Sequence, residues 1–297
     1  MFNSKRSKQY RAYREARDFF IENPNTLIEL ERLLSEVVHT IIVSNLREFL
    51  TDYNEASTLF PFWQNYPPDD RGRMPIGDQF PWIEVGEQVF GNKLVRLLGN
   101  QFKIRDTGIP SGPDKRMVLS SSSISDACKG YTDSCFLFLE VKSVGPRDDQ
   151  EHAVMSHNQI SGDGSWEKQE DGVKNEPILA KGDRASHPFF CAIPPLYVLG
   201  DGTIAPVIAI VIKPVYSMLA LEKKGGDRGQ PLNKVSVVAI PNGLLLTENP
   251  NYLKTYPGLF FPGKDDKGKD PKKVRARVSF DLLRRIDSWR VRTLKVT

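Results

Sequence analysis

At 297 residues, 39% hydrophobic and 26% charged, the chain has room for one elaborated domain or two small ones, with the make-up of an ordinary globular protein. The longest apolar stretch, IAPVIAIVIKPV from Ile204, is cut by Pro206 and Lys213, the basic N-terminus lacks a signal-peptide core, and three unpaired-looking cysteines and four scattered histidines give neither a disulfide framework nor a zinc motif, so a cytoplasmic protein without a membrane partner is expected. The net charge of +4 is unevenly spread: residues 264–297 carry 12 Lys/Arg against 5 Asp/Glu, and together with the basic start this favours a polyanionic partner or, equally on charge alone, a pair of solvated helical faces.

Two helices are predicted at the start, broken at Asn23–Asn25, with Asn25 as the N-cap of the second. Leu27, Leu30, Leu34, Val37, Ile41 and Ile42 then recur at helical spacing and mark a core face or a dimer face. Residues 55–81 are rich in proline and aromatics, and Phe60, Phe62, Trp63 and Tyr66 call for an ordered, packed loop. A helix follows over WIEVGEQVFGNKLVRLLG, where Glu84 and Glu87 are three apart and share a face. The middle reads as strands near Met117–Ser120, Asp133–Ser143, Leu196–Leu199, Ile204–Val215 and Val235–Ile240, with Gly200–Thr203 as a hairpin turn. KKVRARVSF reads as a further strand and DLLRRIDSW as a short helix. The class is α/β, a mixed central sheet flanked by helices, in a single domain spanning 1–297.

The stretch FLFLEVKSVGPRD carries the chemistry. A continuous apolar run implies a strand covered on both faces. At its end Glu140 and Lys142, two apart, project to one side. A carboxylate there needs a partner or loses its charge, and Lys142 alone would serve in a plain salt bridge. Asp114, after Pro113, lies 26 residues upstream, just before another strand. Two strands can set Asp114 beside Glu140, and two close carboxylates favour a hard divalent cation such as Mg2+. With a lysine at hand, these are parts for metal-assisted phosphodiester hydrolysis. The pattern PD…(D/E)xK is short and weak by itself.

Longer blocks strengthen it. The loop DYNEASTLFPFWQNYPPDDRGRMPIGDQFPWIEVGE, then GYTDS, KSVGPRD, IPPLYVLGDGTIAPV, IPNGL and PGKDD resemble, in order and over nearly the whole chain, type II restriction endonucleases of the PD-(D/E)xK nuclease superfamily. The resemblance implies a restriction-endonuclease-like α/β fold. It also implies a homodimer that cuts double-stranded DNA at an interrupted palindrome, GCCNNNNNGGC, leaving 3′ overhangs and 5′-phosphates, with a cognate DNA methyltransferase for host protection. By position it implies N-terminal helices over about 5–54, a catalytic core over about 82–215 and a DNA-reading region over about 260–297. Asp114 and Glu140 resemble the metal-binding carboxylates, the Val141 carbonyl a further ligand and Lys142 the catalytic lysine. Glu87 resembles an additional acid near the metals, with Glu84 as its rival. Glu140 stands where aspartate is the relative's choice; it is one methylene longer, and the superfamily uses both. Asp148, Lys264, Asp266, Arg275 and Arg277 fall where bases are read, Arg or Lys matching guanine and Asp matching the cytosine N4 donor. Lys267, Lys269, Lys272 and Lys273 fit phosphate contacts. The alternatives are a sequence-specific DNA-binding protein without cleavage, a structure-selective repair or junction nuclease of the same superfamily, and an interaction module with an incidental basic tail.

Overall fold

The computed structural model describes residues 2–58, 86–108, 112–145, 149–156, 159–160, 178–180, 189–191, 193–217, 231–262 and 275–296. Three helices, α1 (Phe2–Glu22), α2 (Pro24–Ser44) and α3 (Leu46–Thr58), open the chain. The N-cap of α2 falls two residues earlier than the expected Asn25. Asn23 is the N-cap residue and Pro24 takes the first helical turn, where its missing N–H costs nothing. The Asn23 side chain donates back to the Phe19 carbonyl, while its own carbonyl accepts from the Thr26 hydroxyl at 2.6 Å. Asn25 lies inside the helix. The expected loop from residue 55 begins later, because α3 continues through Thr58. Phe60, Phe62, Trp63 and Tyr66 lie outside the described residues. The stripe on α2 is core, with Leu27, Leu30, Leu34, Ile41 and Ile42 buried; Val38 is buried in place of Val37, which is half-covered.

The strands are β1 (Lys103–Asp106), β2 (Lys115–Ser120), β3 (Ser134–Val141), β4 (His152–Ser156), β5 (Ile178–Ala180), β6 (Phe189–Cys191), β7 (Leu196–Val198), β8 (Ile204–Tyr216), β9 (Leu232–Ile240), β10 (Phe260–Pro262), β11 (Arg275–Ser279) and β12 (Val291–Lys295). Among the described residues, the main sheet runs β1-β2-β3-β8-β9-β12, with β7 also paired to β8. Its β3–β8 pairing is parallel and its other pairings are antiparallel, so the sheet is mixed as expected. The turn at Gly200–Thr203 joins β7 to β8, and Gly202 takes φ +90, a conformation glycine adopts without a Cβ clash. A smaller sheet, β10-β11-β4, is antiparallel. The strands β1, β4, β5, β6, β10 and β12 had no reading of their own in the sequence. They are short or charged, and β12 alternates buried and exposed residues only weakly.

The main sheet is covered on both faces, and parity decides which side chain goes where. Cys135, Leu137, Leu139 and Val141 of β3 enter a core with α2, α3, Ile208, Ile210, Ile212, Val235 and Val237. Phe136 and Phe138 enter the opposite core with Val207, Ala209, Val211, Ala153, Met155, Ala276, Val278 and Phe280. Each fully buried aliphatic or aromatic side chain contributes roughly 1.5–3 kcal/mol of transfer free energy. This two-sided coverage is why the run FLFLEV shows no polar alternation.

One buried ion pair ties the N-terminal helices to the sheet. Glu31 of α2 faces Arg290 at 2.8 Å, and both side chains are fully buried. The other Glu31 oxygen accepts the Asn242 backbone N–H at 2.6 Å. Asn242 in turn donates to the carbonyls of Pro195 and Val207. Burial pushes the Glu31 pKa up, and Arg290 and the Asn242 N–H only partly offset it. Removing one partner strands the other charge in a medium that cannot hydrate it. Glu31→Ala is therefore expected to lower folding stability by about 3–5 kcal/mol in urea unfolding; a loss under about 1 kcal/mol would show that water reaches this pair.

Candidate active site

The site forms where β2 and β3 part. The last pair between them is Lys115 opposite Leu139, and β3 continues for two more residues, Glu140 and Val141. Asp114 sits at the mouth of this fork. Its backbone N–H donates to Glu140 Oε2 at 3.1 Å, and its own Oδ2 accepts the Val141 N–H at 2.8 Å. The carboxylate thus takes the place that a further β2 residue would have taken in the ladder. Residues in a strand send N–H and C=O to the same edge, alternating from one residue to the next. The Lys142 N–H bonds Ile212 on the β8 edge, so the Val141 carbonyl leaves on the other edge, where Asp114 lies. Asp114, Glu140 and the Val141 carbonyl therefore converge on one strand end.

Glu140 is 1% exposed, and its Oε1 receives both Lys142 Nζ and Gln159 Nε2. Desolvation raises its pKa to about 7; Lys142 opposes the rise and the neighbouring Asp114 carboxylate adds to it. A carboxyl so poised gains from a cation placed between it and Asp114. All the donors named are oxygens, which suits a hard divalent ion. Among the described residues no group of three His, Cys, Asp or Glu side chains surrounds a single point, so a cation here would rest on two carboxylates, a carbonyl and solvent or phosphate oxygens. That mixed set is the coordination magnesium accepts. A cleft of about 330 Å³ reaches Asp114 between Asn92, Asp106 and Lys115, so the fork is open to solvent.

Glu87 begins a π-helical segment, Glu87–Asn92, that continues as the α-helix Lys93–Leu98. This helix crosses the end of β3 from the side opposite Glu140. A Cβ on Gly86 would lie 2.6 Å from the Ser143 Cβ and 2.7 Å from its Oγ, and a Cβ on Gly91 would lie 3.1 Å from the Lys115 side chain. The absence of side chains at both positions lets the helix approach the strand end, with Gly86, the residue before Glu87, lying against Ser143. Glu84 lies outside the described residues.

Arg275 and Arg277 stand on one side of β11, with Ala276 buried between them, as the alternation required. The Arg277 guanidinium is held by Asp149 at 3.0 Å. Asp149 also accepts from His152 Nδ1 at 2.8 Å. Burial alone would raise the Asp149 pKa, but His152, Lys213 and Arg277 together hold it below the usual carboxylate range. Lys213, 1% exposed on β8, donates to the backbone carbonyls of Asp149 and His152 and lies 5.4 Å over the Phe280 ring. Asp148, Lys264, Asp266, Lys267, Lys269, Lys272 and Lys273 lie outside the described residues.

Sequence reasoning passed over Asp149, Gln159 and Lys213. Asp149 follows Asp148 directly, so the doublet was a signal. Lys213 stood out as the one charge in an apolar strand but was read only as an interruption. Gln159 gives no sequence signal, because its partners are 19 residues away or on its own backbone turn.

Comparison with known proteins places the whole chain. A family model described as restriction endonuclease BglI matches residues 8–294. The chain is 44% identical over 290 residues to the type II restriction enzyme BglI of Bacillus subtilis, covering 96% of each. It superposes on the crystal structure of BglI bound to its DNA recognition sequence with a TM-score of 0.84, covering 99% of both chains. Tetrameric SfiI bound to cognate DNA matches at a TM-score of 0.57 over 91% of this chain and 86% of that one; at 15% identity this likeness concerns the fold alone.

Gly86→Ala is expected to be destabilising by about 1–3 kcal/mol through overpacking against Ser143. The same change in a Ser143→Gly background should cost less than half as much, because both clashing atoms belong to that side chain. Thermal melts of the two single variants and the double variant give the coupling; simple additivity would mean that helix and strand end do not touch.

Proposed function

The chain belongs to the BglI family of type II restriction endonucleases, and from that membership and the geometry at the fork we propose a magnesium-dependent homodimer that hydrolyses double-stranded DNA at an interrupted palindrome, GCCNNNNNGGC, leaving 3′ overhangs and 5′-phosphates. We read it as one nuclease domain acting in the cytoplasm. The observation that carries the reading is the reciprocal bonding of Asp114 with Glu140 and Val141, which sets two carboxylates and Lys142 around one strand end.

Asp114, Glu140 and the Val141 carbonyl are the residues that would hold the metal. When bound, it supplies Lewis-acid stabilisation of the charge that builds on the phosphate oxygens. Lys142 Nζ lies beside Glu140 and its side chain is partly open to solvent, so it can orient the attacking water and a non-bridging phosphate oxygen. Burial of Glu140 excludes bulk water from one side of the site, which strengthens both effects. Glu87 adds negative charge from the helical side. In-line attack then expels the 3′ oxygen and leaves the phosphate on the 5′ end.

Arg275 and Arg277 face guanines, each able to bond O6 and N7 together. Asp149 holds Arg277 in place for that contact. Asp148 and Asp266 take cytosine N4 donors, Lys264 takes a guanine, and Lys267, Lys269, Lys272 and Lys273 follow the phosphates. A two-fold dimer presents one such set to each half-site. Protection of the host's own sites falls to a separate methyltransferase of the same specificity.

Glu140→Ala, Asp114→Ala and Lys142→Ala are each expected to lower single-turnover cleavage of plasmid DNA by at least about 10³-fold while leaving cognate binding within a few-fold. Cleavage that survives Glu140→Ala would remove this strand end from the chemistry, and binding without any magnesium-dependent cleavage in the unaltered protein would favour a DNA-binding protein. Arg275→Ala or Arg277→Ala should each lose about 1–3 kcal/mol of discrimination between the cognate duplex and one altered at a single G·C pair. Competition binding at fixed salt measures it; uniform weakening on all sequences would reassign that arginine to phosphate contact.

A further inference from the structure

Gln159 is held at both ends of its carboxamide. Its Oε1 accepts the Ser156 backbone N–H at 2.8 Å, and its Nε2 donates to Glu140 Oε1. The two bonds fix the orientation of the amide, since a flipped group would set NH2 against an N–H and oxygen against a carboxylate. The next residue, Ile160, is 3% exposed in the core shared by the two sheets, so the base of the side chain is anchored. Ser156 ends β4, and in the β4–β11 register it stands opposite Arg275. One amide therefore spans from the carboxylate at the fork to the strand pair that carries Arg275 and Arg277.

We propose that Gln159 is a positioning residue that fixes the Glu140 carboxylate for metal and makes its placement depend on the seating of the base-reading strands. The inference rests on the proposed roles of Glu140 and of Arg275 and Arg277. An ionised carboxylate has about four lone-pair sites. Lys142, Gln159 and the Asp114 N–H take three, which leaves a direction for a cation without breaking the Gln159 bond. A lysine reaches its partner on a long four-carbon stem, so Lys142 does little to fix where Glu140 lies. Gln159 is neutral, tethered to β4, and defines where Glu140 must be. A strand pair displaced by a mismatched base pair would draw β4, and Gln159 with it, away from the position at which Glu140 meets Asp114. Partners of this kind typically change metal affinity by 10–100-fold when removed.

The test uses Gln159→Met, which keeps the length of the side chain and loses both polar atoms, with Gln159→Glu as a second variant. Ca2+ is titrated calorimetrically into the full-length protein bound to the cognate duplex and to a duplex altered at one G·C pair, and single-turnover cleavage is followed against magnesium concentration. Expected for Gln159→Met are unchanged cognate DNA binding, a roughly tenfold weaker Ca2+ dissociation constant on cognate duplex, and a magnesium midpoint raised by a similar factor. The difference between cognate and altered duplexes in Ca2+ affinity should shrink. Gln159→Glu should be worse, because it keeps an acceptor for Ser156 and turns a negative charge on Glu140; if Gln159→Met melts early, this variant decides. Unaltered Ca2+ affinity and magnesium midpoint in a folded variant overturn the proposal, as does a loss of DNA binding that accounts for the whole effect. Glu140→Ala separates the two levels: if it still cleaves, the reading of the site fails; if it is inactive while both Gln159 variants match the unaltered protein, only the role of Gln159 fails.

Discussion

The pairing register of β2 against β3 is the constraint on which the site depends. Lys115 opposite Leu139 leaves Asp114 one step beyond the ladder, level with Glu140. A shift of one residue would turn every β2 side chain to the other face of the sheet. Met117 and Leu119 would then leave one core and Val118 the other. The apolar packing on both faces thus enforces the register, and the register delivers the carboxylates. Stability and the placement of these carboxylates are set by the same alternation, which is why a candidate site at a strand end can be held firmly without a dedicated scaffold of its own.

The same parity explains where the polar groups gather. Glu140 on β3 and Lys213 on β8 share the face that packs against the small sheet, and both are almost fully buried. Each reaches toward the segment around β4: Glu140 through Gln159, Lys213 through the carbonyls of Asp149 and His152. Buried charges with no partner would be costly here, and β4 with the residues just before and after it supplies those partners. The arginine-bearing strand β11 pairs with β4 on its other side. The strand that carries Arg275 and Arg277 and the strand end that carries Glu140 are therefore joined by hydrogen bonds through a single intervening strand.

How much of this the sequence disclosed differs from element to element. β3 and β8 were readable because runs of apolar residues covered on both faces have no other economical use. The fork was readable in outline, since Asp114, Glu140 and Lys142 follow a known spacing. The placement of Asn23 instead of Asn25 as the cap was not, because both asparagines and the intervening proline suit a helix start, and the choice fell to which one lets Pro24 occupy the first turn. β4 and β12 gave little signal because they are five residues each and half-exposed. Their strand character comes from the neighbours they pair with.

The sequence by itself determined the two-faced central strands, the charged triad at their end and, through long matching blocks, the family. Those are properties of local pattern: period-two burial, residue type and order along the chain. Only the tertiary structure decided that the Asp114 carboxylate completes the β2–β3 ladder, that Asp149 holds Arg277, that Lys213 is a structural cation, and that Gln159 joins Glu140 to β4. Each of these is a hydrogen bond or ion pair between groups whose separation in sequence carries no period, so nothing short of the folded arrangement could select them.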